Sequence, residues 1–334
     1  MQALVLDGVN QPLQLRDVPT PQPGPGEVLV QLRAAALNHR DVWIQKGQYA
    51  GLRFPCILGS DGAGIITAVG EGAPAELLHQ EVVINPGQGW GDNPAAQSRA
   101  FTILGLPAQG TFAEYVAVPA RYIYAKPAHL SFEQAAALPL GGVTAYRATF
   151  TRAGLRPGER ILITGVGGGV ALLALQMAVA IGAEVWVTSG SEEKINRAVA
   201  MGARGGASYR TPKWAEELVQ RAGGAFDVIV DSAAGSGFND LLDAAAPGGR
   251  IVFFGGTQGA ITQMPPAKVF WKQLSILGST MGTEQDFADM VRLFEQYQIV
   301  PVVDEQFPLS QGEHAMRRMD EGLQFGKIVL QINS

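Results

Sequence analysis

Apolar positions along this chain follow two different rhythms. From Met1 to about Lys126 they fall in short β-like runs, Glu27–Ala35, Gly64–Val69, Glu81–Ile84 and Phe112–Val118, separated by proline and glycine clusters such as Pro19–Gly26. This half is predicted to be β-rich. From about Ser131, helix and strand patterns alternate: Phe132–Ala137, Ile161–Thr164, Gly169–Ile181, Glu184–Thr188, Glu192–Met201, Trp214–Arg221, Phe226–Asp231, Phe238–Ala246 and Ile251–Gly255. Apolar strands separated by helices imply right-handed βαβ crossovers and a parallel sheet covered on both faces, an α/β unit of the doubly wound kind. A strand at Leu274–Ser279 completes that sheet. Helices around Asp286–Gln296 and Gln311–Met319 then lead to a last strand, Lys327–Gln331.

Composition narrows the partners. The 334 residues are 47% hydrophobic and 16% charged, which allows two domains with substantial cores. A net charge of −5, with Lys and Arg scattered singly or in pairs, leaves no basic stripe for a polyanion, so no nucleic acid partner is expected. Met1–Gly8 alternates like a strand and carries an acid, unlike a secretory signal. The most apolar stretch, Val170–Ile181, is too short to cross a bilayer, so no membrane partner is expected either. Cys56 is the single cysteine of the sequence and fits a reducing compartment, so a cytoplasmic location is expected. Beside Pro55 in an apolar run, it reads as a small buried hydrophobe.

The clearest chemical signal is a glycine turn. Ile161–Thr164 runs into Gly165, Val166, Gly167, Gly168, Gly169, Val170 and Ala171 and then a helix, with the next strand at βαβ distance. Glycines let the backbone turn sharply and approach a pyrophosphate, which then faces the free N–H groups at the helix start. The strict G-x-G-x-x-G fails at Val170, and the fit is better as Gly165-x-x-Gly168-x-x-Ala171. An NAD site places an acid at the end of the second strand for the ribose hydroxyls. Here that position reads Thr188, Ser189, Gly190, Ser191, with no acid before Glu192, which favours NADPH. Lys194, Tyr209 and Arg210 are candidates to complete a 2′-phosphate pocket. The alternative at Ser191 is a plain helix N-cap, with Glu192 and Glu193 complementing the helix dipole.

Several motifs in order give the chain a family resemblance: Pro21–Val30, Asn38-His39-Arg40-Asp41, Gly59-Ser60-Asp61-Gly62-Ala63-Gly64, Leu138–Tyr146 and the glycine turn. It resembles the medium-chain dehydrogenases/reductases, in the zinc-independent branch of NADPH quinone oxidoreductases and enoyl or alkenal reductases. The resemblance implies a GroES-like β-rich catalytic domain, 1–126 completed by 281–334, a Rossmann cofactor domain, 127–280, and an active site in the cleft between them. Zinc enzymes of this family carry a Cys where this chain has Asn38, a His where it has Ser60, and commonly a Cys where it has Leu140. Residues 85–110, which resemble the lobe holding a structural zinc through four cysteines, contain none. His39, His79, His129 and His314 share no ligand spacing, so no zinc is expected.

Without a Lewis acid, hydride addition to a quinone or α,β-unsaturated carbonyl is the expected chemistry, because such acceptors delocalise the developing charge onto oxygen. The resemblance assigns Asn38 and Thr144 to the nicotinamide or the acceptor, and Phe254 and Gly255 to the cofactor's other side. Tyr49 matches a tyrosine that related reductases place near the substrate, where it donates a hydrogen bond or proton; its alternative is packing against the Phe54 loop. Arg40 and Asp41 are expected to form an ion pair that fixes the Asn38 loop. An enoyl thioester reductase and a non-catalytic NADPH-binding protein remain alternatives, with a zinc alcohol dehydrogenase disfavoured. Related enzymes pair edge strands between subunits, which makes Gln273–Ser279 the expected contact of a homodimer or homotetramer.

Overall fold

The strand Glu27–Ala36 organises the first half of the chain, pairing antiparallel with Asp61–Val69, Tyr115–Pro119 and Lys327–Gln331. The resulting sheet has seven strands, in the order Ile123–Ala125, Glu81–Ile84, Asp61–Val69, Glu27–Ala36, Lys327–Gln331 and Val303–Pro308, with Tyr115–Pro119 off that path. A smaller sheet joins Gln14–Asp17, Gln2–Leu6 and Cys56–Ile57. Aliphatic residues at every second position cover one pleated face, and Leu4, Leu6, Val30, Leu32, Phe112 and Leu330 are buried in one shared core.

This computed structural model describes residues 1–332. By compactness they divide into Met1–Gly141 with the segment from Gly282 onward, and Gly142–Met281. The short helix Phe132–Ala136, whose Ser131 cap accepts from the Gln134 N–H while the Gln134 side chain accepts from the Ser131 N–H, packs over Glu27–Ala36 and Asp61–Val69. Residues 127–141 thus lie with the first unit. A change of sequence rhythm marks where helices begin, not which sheet a helix covers.

The second unit is built on six parallel strands, ordered Gly205–Ser208, Glu184–Ser189, Arg160–Ile163, Phe226–Asp231, Ala245–Phe253 and Ser275–Gly278. Together with the GroES-like first unit this is the α/β architecture expected from sequence. The helix Gly169–Ala180 buries residues around most of its circumference, from Ala171 to Ala178, which explains why its sequence is apolar throughout. Gly205–Ser208 is a strand without hydrophobic pattern. A Cβ on Gly205 would come within 2.6 Å of the Trp186 ring, so that strand lies close because its first two residues are glycines.

Candidate functional site

In the first unit, three neighbouring strands bring together a buried polar cluster. Asn38 follows Glu27–Ala36 and precedes the helix His39–Gln45, Asp61 opens Asp61–Val69, and Lys327 opens Lys327–Gln331. Asp61 and Lys327 are 0% and 4% exposed. The Lys327 ammonium donates to Leu37 O at 2.7 Å, Asn38 Oδ1 at 2.7 Å and Asp61 Oδ2 at 2.9 Å, which uses all three of its protons. Asn38 Nδ2 donates to the same Asp61 oxygen at 2.9 Å, and the other carboxylate oxygen accepts from Leu140 N at 2.7 Å. A buried ion pair is tolerable when its remaining hydrogen-bonding capacity is filled in this way. Sequence reading missed Lys327; the available signal was a charge opening an otherwise apolar strand.

The adjoining helix carries a second group. Asp41 Oδ2 accepts from the Asn38 backbone N–H at 2.8 Å, closing the first turn, while burial pushes the Asp41 carboxyl up to about 6 against the opposing pull of Arg40. The expected Arg40–Asp41 ion pair is not formed: Arg40 acts on Asp41 only through its field. Its side chain turns the other way, donating through Nη1 to Ser60 Oγ at 2.7 Å and Leu104 O at 2.9 Å, and through Nε to Tyr49 Oη at a long 3.5 Å. The guanidinium carbon lies 5.0 Å from the centre of the Tyr49 ring. Ser60 in turn donates to Leu104 O at 2.7 Å. Leu104 can come this near because Gly105 passes over Gly59 so closely that a Cβ on Gly105 would stand 2.6 Å from Gly59 O. Cys56 is buried, and burial pushes its thiol up to about 11, so it stays protonated at neutral pH.

In the second unit the glycine turn lies between Arg160–Ile163 and Gly169–Ala180, with Gly165 and Gly167 at φ values of +66° and +126°. Val166 N donates to Thr188 O at 2.8 Å, tying the turn to the end of the next strand. The first N–H groups of the helix have no partner within it, which suits a phosphate. A Cβ on Gly167 would meet Lys194 Cδ at 2.7 Å, and one on Gly190 would meet Tyr209 Oη at 2.7 Å and Arg210 Nε at 3.0 Å. Lys194, Tyr209 and Arg210 therefore gather around the Ser189–Ser191 segment. Ser191 also caps its helix, accepting from Lys194 N at 3.4 Å, so the capping alternative and the pocket geometry coexist. Phe254 N donates to Asp231 O at 3.1 Å, and a Cβ on Gly255 would stand 2.6 Å from Ser232 O. Thr144, in the helix Pro139–Tyr146, is 6% exposed, with Oγ1 3.9 Å from Met281 Sδ.

Two family models match this chain, the alcohol dehydrogenase GroES-like domain over residues 24–128 and the zinc-binding dehydrogenase over residues 169–296. A zinc-type alcohol dehydrogenase-like protein, YogA of Leptosphaeria maculans, is 36% identical over 97% of this chain and 96% of its own length. The chain belongs to the medium-chain dehydrogenase/reductase superfamily and is an oxidoreductase of that superfamily. The acryloyl-coenzyme A reductase of Metallosphaera sedula is 29% identical over 99% of each chain. A crystal structure of an NAD-dependent alcohol dehydrogenase superposes with a TM-score of 0.94 at 40% identity, covering 100% of both chains.

The superfamily often binds zinc, and the residues at the corresponding positions do not fit it. Tetrahedral zinc is held by thiolates, imidazoles and carboxylates. Asn38 and Ser60 offer an amide and a hydroxyl already engaged by Lys327, Asp61, Arg40 and Leu104, and Leu140 offers no ligand atom. Among the described residues no three His, Cys, Asp or Glu side chains converge as a metal site. The 85–110 lobe is held instead by the Trp90–Phe101 edge contact at 5.4 Å and by Ser98, whose N–H donates to Trp90 O at 2.7 Å and whose Oγ donates to Gly89 O at 2.8 Å.

Proposed function

We propose that this protein is a zinc-independent reductase that transfers hydride from NADPH to a quinone or an α,β-unsaturated carbonyl compound. The observation that carries this reading is the locked state of Asn38 and Ser60. At the positions of zinc ligands in related enzymes stand side chains committed to buried cations of the protein itself. An alcohol oxidised without a metal lacks a strong stabiliser for its alkoxide, whereas a conjugated acceptor spreads the developing charge. NADPH, when bound, supplies the hydride. The turn at Gly165–Val170 cradles its pyrophosphate; Ser189, Gly190 and Ser191 leave room for a 2′-phosphate; Lys194, Tyr209 and Arg210 supply charge and donors to it; and Phe254 and Gly255 close its other side. Asn38 and Thr144 orient the reacting groups, and Tyr49 hands a proton or hydrogen bond to the reduced acceptor.

An enoyl thioester is the second acceptor class, favoured by the acryloyl-coenzyme A reductase relative. NADPH oxidation against quinones, alkenals and enoyl thioesters, with NADH and a chelator as controls, tests the proposal. Turnover with NADPH that survives chelation in metal-free protein is expected. Activity that is lost on chelation and restored by zinc would overturn it, as would preference for NADH or absence of turnover with every acceptor.

We also assign the protein to the cytoplasm, consistent with its one buried, protonated cysteine. No helix among the described residues is long and apolar enough to cross a membrane. Its assembly is a homodimer or homotetramer through Ser275–Gly278, the edge strand of the parallel sheet, with Phe270 and Trp271 59% and 80% exposed just before it. Light scattering at micromolar concentration should give at least a dimer mass.

A further inference from the structure

Arg40 is 5% exposed, and one of its guanidinium nitrogens, Nη2, is closed off from solvent with no hydrogen-bond partner in the protein. A buried cationic N–H group left unpaired by the protein is expensive, and it is satisfied by a bound water, an ion or a ligand. The other two nitrogens are fixed by Ser60, Leu104 and Tyr49, so Nη2 is held in place by its neighbours. Ser60 is a position where the family resemblance implies a ligand histidine in zinc enzymes, and the guanidinium donates directly to it. Of the groups shown against it, Ser60 and Leu104 are buried and Tyr49 is half-buried. Of these three neighbours, Tyr49 is the one that reaches solvent.

We propose that Arg40 is the anion-binding group of the reaction, with Nη2 donating to the acceptor oxygen on which negative charge develops. This rests on the hydride-transfer reading above. The β-carbon of the acceptor gains a hydride from the reduced nicotinamide, which is left oxidised; the C=C electron pair shifts to give an enolate with its charge on oxygen; and a proton closes the α-carbon. The acceptor gains two hydrogens in all. Arg40 keeps its own protons throughout and lowers the barrier by charge and hydrogen bonding at the enolate oxygen, the work a Lewis acid does in a zinc enzyme. The Tyr49 ring lies against the guanidinium with its hydroxyl 3.5 Å from Arg40 Nε, at the edge of the same oxygen site. The ligand class is a planar conjugated carbonyl or its anionic analogue, for which an arginine is better shaped than a lysine.

The test uses Arg40→Met and Arg40→Lys in the full chain, with NADPH affinity and thermal melting followed beside activity. Crotonate, a conjugated carboxylate resembling the enolate, is the binding probe, read through the fluorescence of bound NADPH. The expected result is saturable crotonate binding in the unsubstituted protein, weakened at least tenfold in Arg40→Met and less in Arg40→Lys. Enone turnover in Arg40→Met should fall by about 100-fold to 1,000-fold, with NADPH affinity within twofold and partial recovery on adding guanidinium at millimolar concentration. If crotonate does not bind, or binds Arg40→Met as well as the unsubstituted protein, Arg40 is not an anion site. Loss of turnover that tracks a lowered melting temperature, with no rescue in either variant, would also overturn the assignment. Absence of turnover with every acceptor, while Arg40-dependent crotonate binding persists, would refute the proposed reaction and leave the anion site standing.

Discussion

The polar cluster around Asn38 and the glycine turn at Gly165–Gly169 solve opposite problems. In the first, side chains from distant parts of the sequence are spent on one another: the Lys327 ammonium, the Asp61 carboxylate and the Asn38 amide close a network with hardly any exposed surface. In the second, the backbone does the work, and residues are chosen for the side chain they lack. A network of buried charges is rigid and intolerant of loss; a glycine turn at a helix start is a receptor for an external charge. The difference predicts where substitutions cost stability and where they cost only binding.

The sharpest way to break the comparison is Lys327→Met. Removing the cation leaves Asp61 buried and uncompensated, so the variant should lose about 3–5 kcal/mol of stability. The double variant Lys327→Met, Asp61→Asn should recover part of that loss, because the stranded charge has gone. Urea unfolding measures both. A loss below about 1 kcal/mol in the single variant would show that the cluster is better hydrated than its burial indicates.

Tyr49→Phe separates chemistry from packing within the same region. The ring stays over Arg40, while the hydroxyl that receives the long Nε hydrogen bond disappears. Turnover with enones should fall about 10-fold to 100-fold, with NADPH affinity unchanged. Quinones, whose reduced form is itself a stabilised anion, should suffer less. Equal loss with both acceptors would point to packing, and an unaffected enone rate would remove Tyr49 from the mechanism.

Asp41 tests how dry this side of the site is. Its carboxyl lies at about 6 against an ordinary 3.8, so the folded protein holds the proton more tightly than the unfolded chain does. Its contribution to stability is therefore whole below pH 3.8 and is lost as the pH rises through about 6. Asp41→Asn keeps an oxygen to accept from Asn38 N but cannot ionise. The stability of the unsubstituted protein relative to this variant should fall by about 2 kcal/mol between pH 4.5 and 7.5. A difference independent of pH would mean that Asp41 stays ionised and well paired.

The same contrast explains what could be read from the sequence. The parallel sheet and the glycine turn were legible because they rest on local order: strand, glycines, helix, strand. The strands Glu184–Ser189 and Phe226–Asp231 fall where their apolar runs place them. Gly205–Ser208 was missed because its strand character comes from close approach to Trp186, which no hydrophobic pattern records. Val303–Pro308 was missed because its side chains are largely polar and only Phe307 is buried. The side-chain cluster was legible only in part. Asn38 and Ser60 stood out as departures from zinc ligands, yet Lys327 lies 289 residues from Asn38, and only strand pairing joins them. Arg40 and Asp41 suggested an ion pair because they are adjacent in sequence, but neighbours at the start of a helix point to different sides: Arg40 reaches Ser60 and Leu104 across the fold, while Asp41 closes its own helix start at Asn38 N.

The smallest expected effect belongs to the backbone-built site. Lys194 crosses over Gly167 and sits beside the strand end that carries Ser189 and Gly190. Reversing its charge in Lys194→Glu puts a carboxylate near the proposed 2′-phosphate and leaves every glycine of the turn in place. NADPH affinity should fall by about tenfold, near 1.4 kcal/mol, while NADH, with a ribose hydroxyl at that point, should change by less than about threefold. Raising the salt concentration should narrow the gap, because Lys194 is only half-buried and its field is screened. Melting temperature should hardly move, in contrast to Lys327→Met, since Lys194 is half-buried whereas Lys327 is 4% exposed. Titration of the two cofactors by fluorescence at low and high salt reads all of this at once. Equal weakening of both would place Lys194 near the pyrophosphate shared by the two cofactors, and would shift the choice between them to Tyr209 and Arg210.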